Sequence, residues 1–320
     1  MFEGQRVAVI VPCFQVAGHL AEVLRSLPAW VDHVVIVDDG STDDLGAAVE
    51  DAADERVEVL RHAANHGIAA AMVTGLRRAL DLGAELIVKM DGDGQMDPRY
   101  LPALLDPIVA GEADLTKGNR FLRRRPLRSM PLVRHLGNLA LSFLTKVASG
   151  YWNLFDPTNG YLALRRRLVE ELELERLGPR YYFEISLLCE AYLCGAVARD
   201  VAIPARYGDE RSSLSLARTM AAFPFLLLRS CGRRLVVRYF IRDFTPVALF
   251  LIAGALLSGF GLIFGIENWI ARAGTGQPTP TGTMLLALLP LLVGFQLLLQ
   301  ATVMDIANVP ASSPWRRPRP

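Results

Sequence analysis

Three oxygen-bearing side chains recur at every second position in Asp91-Gly-Asp-Gly-Gln95. Two carboxylates this close repel each other unless a cation lies between them, and hard cations such as Mg²⁺ or Mn²⁺ take oxygen ligands. Gly92 and Gly94 remove side-chain bulk, so a large anion can approach the backbone. A D-x-D triplet alone usually marks a solvated turn, but this one follows Leu86-Ile-Val-Lys-Met90. That apolar, partly β-branched run reads as a short buried strand. Open α/β sheets bind ligands at the carboxyl ends of their strands, so the stretch is read as a metal–diphosphate site.

The elements that must position it recur along the first part of the chain. Strands are expected at Arg6–Val11, Val34–Val37, Val57–Leu60 and Leu86–Met90. Helices are expected at Leu20–Leu27, from the cap around Asp43 to about Ala53, and at Gly67–Leu82. Strands alternating with helices of this length predict an α/β fold, a mostly parallel sheet with helices on both faces. No G-x-G-x-x-G follows the first strand and no G-x-x-x-x-G-K-[ST] occurs, which counts against dinucleotide and P-loop sites. Carboxylates instead follow the second and fourth strands. Asp38 and Asp39 can hydrogen-bond a base or ribose while Asp91 and Asp93 hold a metal on a diphosphate, which is what a nucleotide-sugar site requires.

The totals bound the rest. A hydrophobic share of 52% over 320 residues, with mean hydropathy +0.28, predicts a membrane part. A net charge of +1 argues against a nucleic-acid partner. Cys13, Cys189, Cys194 and Cys231 lack metal-ligand or disulfide-framework spacing and read as buried free thiols. The apolar run Val7–Val11 is too short for a signal peptide and is flanked like a strand.

Ile10-Val-Pro-Cys-Phe14, Val37-Asp-Asp-Gly-Ser-Thr-Asp43, Asn65-His-Gly67, Met90-Asp-Gly-Asp-Gly-Gln95, Gly118-Asn-Arg-Phe121 and Asp156-Pro-Thr-Asn-Gly-Tyr161 occur in this order. Together they resemble family-2 glycosyltransferases, and within them the polyisoprenyl-phosphate branch of the dolichol-phosphate mannose synthase type. The resemblance covers roughly residues 5 to 215 and, in layout, the tail. It implies a GT-A fold, a nucleotide-sugar donor, a Mg²⁺ or Mn²⁺ cofactor and inversion at the anomeric carbon. Two positions depart from the family: Gln15-Val16 stands where Asn-Glu is usual, and Ile68 where a lysine is frequent.

On this resemblance Asp91, Asp93 and Gln95 are the metal set, with the metal neutralising the departing nucleoside diphosphate. Asp39 contacts base or ribose, and Pro12 to Phe14 line the donor pocket with Asp91; the plain reading of Asp39 is a cap on the following helix. Arg120 suits a donor or acceptor phosphate, since its planar fork binds phosphate through several hydrogen bonds; its plain reading is a surface arginine. Asp156 and Glu184 are both candidates for the base of a single displacement, Asp156 preferred because Pro157 and Gly160 mark a loop. An acceptor phosphate with a second pKa of about 6 is already nucleophilic, so either carboxylate could serve to orient instead. Arg211, in Arg206-Tyr-Gly-Asp-Glu-Arg-Ser-Ser-Leu214, is the candidate for the acceptor phosphate, against a charged linker.

Thr245–Ile266 and Thr283–Met304 are runs without a charged residue. Each would span roughly 33 Å as a helix, enough to cross a bilayer. Small residues at Gly261/Gly265 and Ala255/Gly259 permit close helix packing and suggest self-association through the membrane helices. Arg218, Arg229, Arg233, Arg234, Arg238 and Arg242 alternate with apolar residues, as in an interfacial helix on anionic headgroups, broken near Pro224. Arg316, Arg317 and Arg319 follow the second run, whereas the Glu267–Gly282 link holds only Arg272, so the positive-inside rule puts both ends in the cytoplasm. The expected layout is a transferase domain over 1–213, amphipathic helices over 214–243, two membrane helices over 244–306 and a basic tail over 307–320. Two other functions fit parts of the pattern. A processive polysaccharide synthase would carry Q-x-x-R-W, yet no tryptophan here follows an arginine. A non-catalytic nucleotide-sugar scaffold would not need the Asp91/Asp93/Gln95 set.

Overall fold

The computed structural model describes residues 1–122, 132–156, 159–179, 182–204, 216–274 and 278–315. The chain forms two compact units, Met1–Gly232 with Pro310–Pro320, and Arg233–Val309.

The first unit opens with β1 (Val7–Cys13), α1 (Ala17–Ser26), β2 (His33–Asp38), α2 (Leu45–Ala52), β3 (Val57–Arg61), α3 (Ile68–Asp81) and β4 (Leu86–Lys89). It continues with α4 (Leu101–Val109), β5 (Leu115–Asn119), α5 (Leu132–Ser149), β6 (Leu162–Arg165), α6 (Arg166–Glu171), α7 (Phe183–Leu193) and β7 (Ala198–Ala202). Helix α8 (Leu216–Val236) follows. The strands form one seven-stranded sheet in the order β3-β2-β1-β4-β6-β5-β7. Strand β6 runs antiparallel to both β4 and β5, and the other pairs are parallel. The expected mostly parallel sheet with helices on both faces is therefore present.

Val7 to Val11 is buried throughout because a central parallel strand is covered on both faces. Val7, Val9 and Val11 join Leu20 and Leu24 of α1 and Leu104 and Leu105 of α4 in one core. Ile10 faces the other way, onto α3, where a Cβ on Gly75 would run into its Cγ2. Lys89 shares the parity of Ile87 and so leaves β4 on the face opposite Val88 and the α1/α4 core.

Helix α8 does not break at Pro224 but continues through it. Proline removes one backbone donor, yet Phe223, Leu226 and Leu227 pack against Tyr182, Ile185 and Cys189, and this packing holds the helix together. After the second unit the chain rejoins the first, where Ser313 Oγ donates to Asp114 Oδ1 at 2.6 Å.

The second unit holds a π-helical turn over Val237–Ile241, α9 (Pro246–Ala273) and α10 (Thr281–Ala307). Both long helices are long and apolar enough to cross a membrane by length and composition, with 22% and 6% of their apolar windows buried. Helix α9 continues past Ile266 to Ala273, so part of the expected link is helical; Asn268 Nδ2 donates back to Phe264 O at 2.9 Å. The small residues serve the contact between α9 and α10. A Cβ on Gly261 would lie 2.6 Å from Ala287 O, and one on Gly254 would lie 3.0 Å from Gly294 O, while Gly259 faces open space.

Arg234 departs from the expected headgroup-facing stripe. It is 1% exposed, and its Nη1 and Nη2 donate to Asp305 Oδ1 and Oδ2 at 2.6 and 3.0 Å. Tyr239 OH donates to the same Asp305 Oδ1 at 2.6 Å. A buried guanidinium needs such a partner, and Asp305, beyond the second charge-free run, provides it.

Candidate active site

The turn after β4 carries the acidic pair. Asp91 N donates to Met96 Sδ at 3.2 Å and Gln95 N to Asp93 Oδ1 at 2.9 Å. Gly94 has φ +74°, the left-handed region that glycine enters without strain. Gly92 also has a packing role. A Cβ there would lie 3.1 Å from Val16 Cγ2, 3.2 Å from Cys13 Sγ and 3.3 Å from Val11 Cγ1, so the turn packs directly on the end of β1.

Behind Asp91 stands Lys89, a residue that sequence reasoning passed over. It is 1% exposed, and its Nζ donates to Asp91 Oδ1 at 2.7 Å and to Gly160 O at 3.2 Å. Glu184 Oε1, from the first turn of α7, lies 3.4 Å from the same ammonium. Burial alone would lower the Lys89 pKa, but Asp91 and Glu184 together raise it above the ordinary lysine value. Burial raises the Glu184 pKa, a shift that Lys89 partly offsets. A charged residue inside an otherwise apolar strand was the available signal in the sequence.

Asp156 follows the region of α5 in a left-handed conformation, φ +55°, which Asp tolerates better than most side chains. Its carboxylate is gripped by Arg120, which extends β5: Nε meets Oδ2 at 2.8 Å, Nη2 meets Oδ1 at 2.7 Å and the backbone N donates to Oδ2 at 3.1 Å. Lys117 donates to the carbonyls of Phe155 and Asp156, fixing the loop backbone on β5. Burial would raise the Asp156 pKa, but the Arg120 fork and charge, with Lys117 behind, hold it below the usual carboxylate range. Thus Asp156 is a weak base, ionised throughout neutral pH.

Asp39 is 3% exposed and turned towards the loop that precedes α3. Its Oδ1 accepts from His66 N at 3.0 Å and lies 2.8 Å from His62 Nδ1, and its Oδ2 accepts from Gly67 N at 2.6 Å. The cap of α2 is Asp44, which accepts from Ala47 N. Pro12 is the one partly exposed residue of β1, and Phe14 just beyond the strand is 45% exposed. Gln15, at the first family departure, has φ +56° and donates through its backbone N to Ser41 Oγ at 3.1 Å. Arg211 and the rest of 205–215 lie outside the described residues.

Gly160, four residues after Asp156 in the chain, accepts from Lys89 behind Asp91. A family model for Glycosyl transferase family 2 matches residues 8–173. The chain belongs to this family.

Among its relatives is the polyprenol monophosphomannose synthase of Mycolicibacterium smegmatis, 32% identical over 195 residues that cover 58% of this chain and 72% of the relative. The UDP-N-acetylglucosamine–dolichyl-phosphate N-acetylglucosaminyltransferase of Methanococcus voltae is 28% identical over 190 residues, 55% of this chain and 75% of the relative. The glucosyl-3-phosphoglycerate synthase of Mycobacterium tuberculosis, solved with Mn²⁺, UDP and glucosyl-3-phosphoglycerate, superposes with TM-score 0.55 at 21% identity. That likeness covers 72% of this chain and 81% of the other, and it shows the shared GT-A fold.

In this glycosyltransferase the acidic turn suits a hard divalent cation. Among the described residues no group of three or more His, Cys, Asp or Glu is placed to hold an ion. Asp91, Asp93 and Gln95 offer oxygen donors only, and Mg²⁺ is commonly held by one or two carboxylates with substrate phosphates completing the shell.

Proposed function

We propose that this glycosyltransferase moves one sugar from a UDP- or GDP-linked donor to a polyisoprenyl phosphate, with inversion, at the cytoplasmic face of a membrane. The observation that carries this reading is that Gly160, four residues after the Asp156 that pairs with Arg120, accepts from the Lys89 that holds Asp91. Two relatives bear names that join different sugars, mannose and N-acetylglucosamine, to polyprenol or dolichyl phosphate, which favours the lipid phosphate as acceptor and leaves the sugar open.

In the reaction an acceptor phosphate oxygen bonds to the anomeric carbon while the bond from that carbon to the diphosphate breaks. The nucleoside diphosphate leaves with the electron pair. A bound divalent cation supplies charge neutralisation on the diphosphate. Asp91, Asp93 and Gln95 would hold that cation through their side-chain oxygens. Arg120, fixed by Asp156, presents its guanidinium to a phosphate. No base is required, because the acceptor's second pKa of about 6 leaves it dianionic at neutral pH. Asp39 acts on the donor pocket through the His66-Gly67 loop that it pins, and Arg211 meets the acceptor phosphate. Glu184 stands behind Lys89 and balances that charge.

Helices α9 and α10 serve as two membrane spans. Large apolar side chains such as Leu256, Phe295 and Ile263 are 68%, 63% and 60% exposed, a surface that lipid would cover. The chain that leaves the first unit at Gly232 is back in it at Ser313, as two crossings require. Arg229, Arg233, Arg238 and Arg242 then lie at a cytoplasmic headgroup layer.

The test offers radiolabelled UDP- and GDP-sugars with undecaprenyl phosphate to membranes carrying the protein. Label in a single-sugar lipid product is expected. Label only in a long polymer would favour a processive synthase, and no transfer from any donor would leave a binding scaffold.

A further inference from the structure

We propose that Lys89 is an internal counter-charge of the metal site: its buried ammonium holds Asp91 and offsets part of the negative charge an incoming cation meets, so that firm cation binding awaits the donor diphosphate. The inference rests on the metal reading of Asp91 and Asp93.

A lysine in the middle of a sheet is expensive to desolvate, and an apolar residue would serve strand packing better. Lys89 shows 0% side-chain exposure, so what it gains must come from its partners. Those partners belong to three separate stretches of sequence: Asp91 of the acidic turn at 2.7 Å, Gly160 O of the Asp156 loop at 3.2 Å and Glu184 of α7 at 3.4 Å. The missing side chain at Gly160 leaves the ammonium its room. A Cβ there would run into Lys89 Nζ and lie 3.2 Å from Glu184 Oε1 and 3.3 Å from Asp91 Oδ2.

One ammonium thus faces two carboxylates, with Asp93 near in sequence as a third. The cluster keeps a net negative charge and remains receptive to a cation, but less so than the carboxylates alone. Coulomb interaction over such distances is strong where water is excluded. A bound diphosphate adds negative charge and oxygen ligands at the same place, and the cation is then held.

The experiment is a Mn²⁺ titration of the purified full-length protein in detergent, by calorimetry or by the paramagnetic resonance of free Mn²⁺, with and without UDP. Lys89→Met should bind Mn²⁺ without UDP about tenfold more tightly than the wild type, and Glu184→Gln should bind it several-fold more weakly. The double variant, whose net charge equals that of the wild type, should return to within about threefold of it. A lysine that served only packing would give the opposite sign or no change in Lys89→Met, because a collapsed Asp91 is a poorer ligand. Weaker or unchanged binding in Lys89→Met overturns the inference. Should that variant not fold, Glu184→Gln decides, and unchanged or tighter Mn²⁺ binding there overturns it. Asp93→Asn separates the two levels. Wild-type Mn²⁺ binding that Asp93→Asn abolishes upholds the metal reading whatever Lys89 does, whereas no wild-type binding even with UDP overturns both.

Discussion

Arg120 and Asp156, 36 residues apart in the chain, meet as a two-pronged ion pair with Nε–Oδ2 at 2.8 Å and Nη2–Oδ1 at 2.7 Å. Parallel charge-assisted hydrogen bonds fix the plane of the guanidinium as well as its position. The same contacts hold the carboxylate in its ionised form, which suits an orienting group and ill suits a proton acceptor.

Asp156→Asn should therefore slow transfer by a factor on the order of 10² at each pH between about 6 and 9, the scale of a misplaced binding group. A base would act differently, since its loss is relieved as the acceptor ionises. The measurement is a pH–rate series on variant and wild type at saturating donor. A variant rate that recovers steeply between about pH 7 and 9 would restore Asp156 as the base.

The pair also makes a stability prediction. Asp156 has a folded-state pKa below its unfolded value, so its contribution is present above about pH 4 and is lost as pH falls through the folded value. Removing one partner of a fully buried pair costs about 3–5 kcal/mol; the Arg120 side chain is 36% exposed, so a smaller loss is expected here. Thermal midpoints of Asp156→Asn and wild type should differ near neutral pH and draw together as pH falls well below about 4. A gap that stays constant into that range would assign the loss to packing instead.

Transfer should stop in excess chelator and return with Mg²⁺ or Mn²⁺, since Asp91 and Asp93 otherwise repel the donor diphosphate. Asp93→Asn should cost more than Asp156→Asn. Full transfer without a divalent cation would remove the metal from the site.

Gly160→Ala should lose activity at least about tenfold and stability by about 1–3 kcal/mol, as overpacking does. The obstacle is the buried Lys89 ammonium, which to move aside would have to give up its contacts with Asp91, Gly160 O and Glu184. Gly137→Ala on α5, with nothing within 4 Å of the new Cβ, serves as control and should be neutral or slightly stabilising. Equal behaviour of the two variants would mean that the Gly160 loop is not held as described.

Reporter fusions that fluoresce only in the cytoplasm should be bright at either end of the chain. A carboxyl-terminal fusion active only on the far side would mean that α9 or α10 does not cross.

Much of this protein was legible along the chain because the relevant physics is local. The apolar runs that became β1 to β4, the turn chemistry of Asp91 to Gln95 and the length of the two apolar helices each depend on residues within a few positions of one another. The order of the sheet is not local. Inserting antiparallel β6 between β4 and β5 brings Gly160 to Lys89 across 71 residues. Nothing in the spacing of either stretch announces that meeting. The same holds for Asp39, whose carboxylate accepts from His66 N and Gly67 N across 27 and 28 residues, and for Arg234, drawn from the headgroup stripe to Asp305 across 71 residues. Sequence pattern identifies which groups carry charge, but the partner that compensates a buried charge is whichever group the tertiary fold brings within hydrogen-bonding reach.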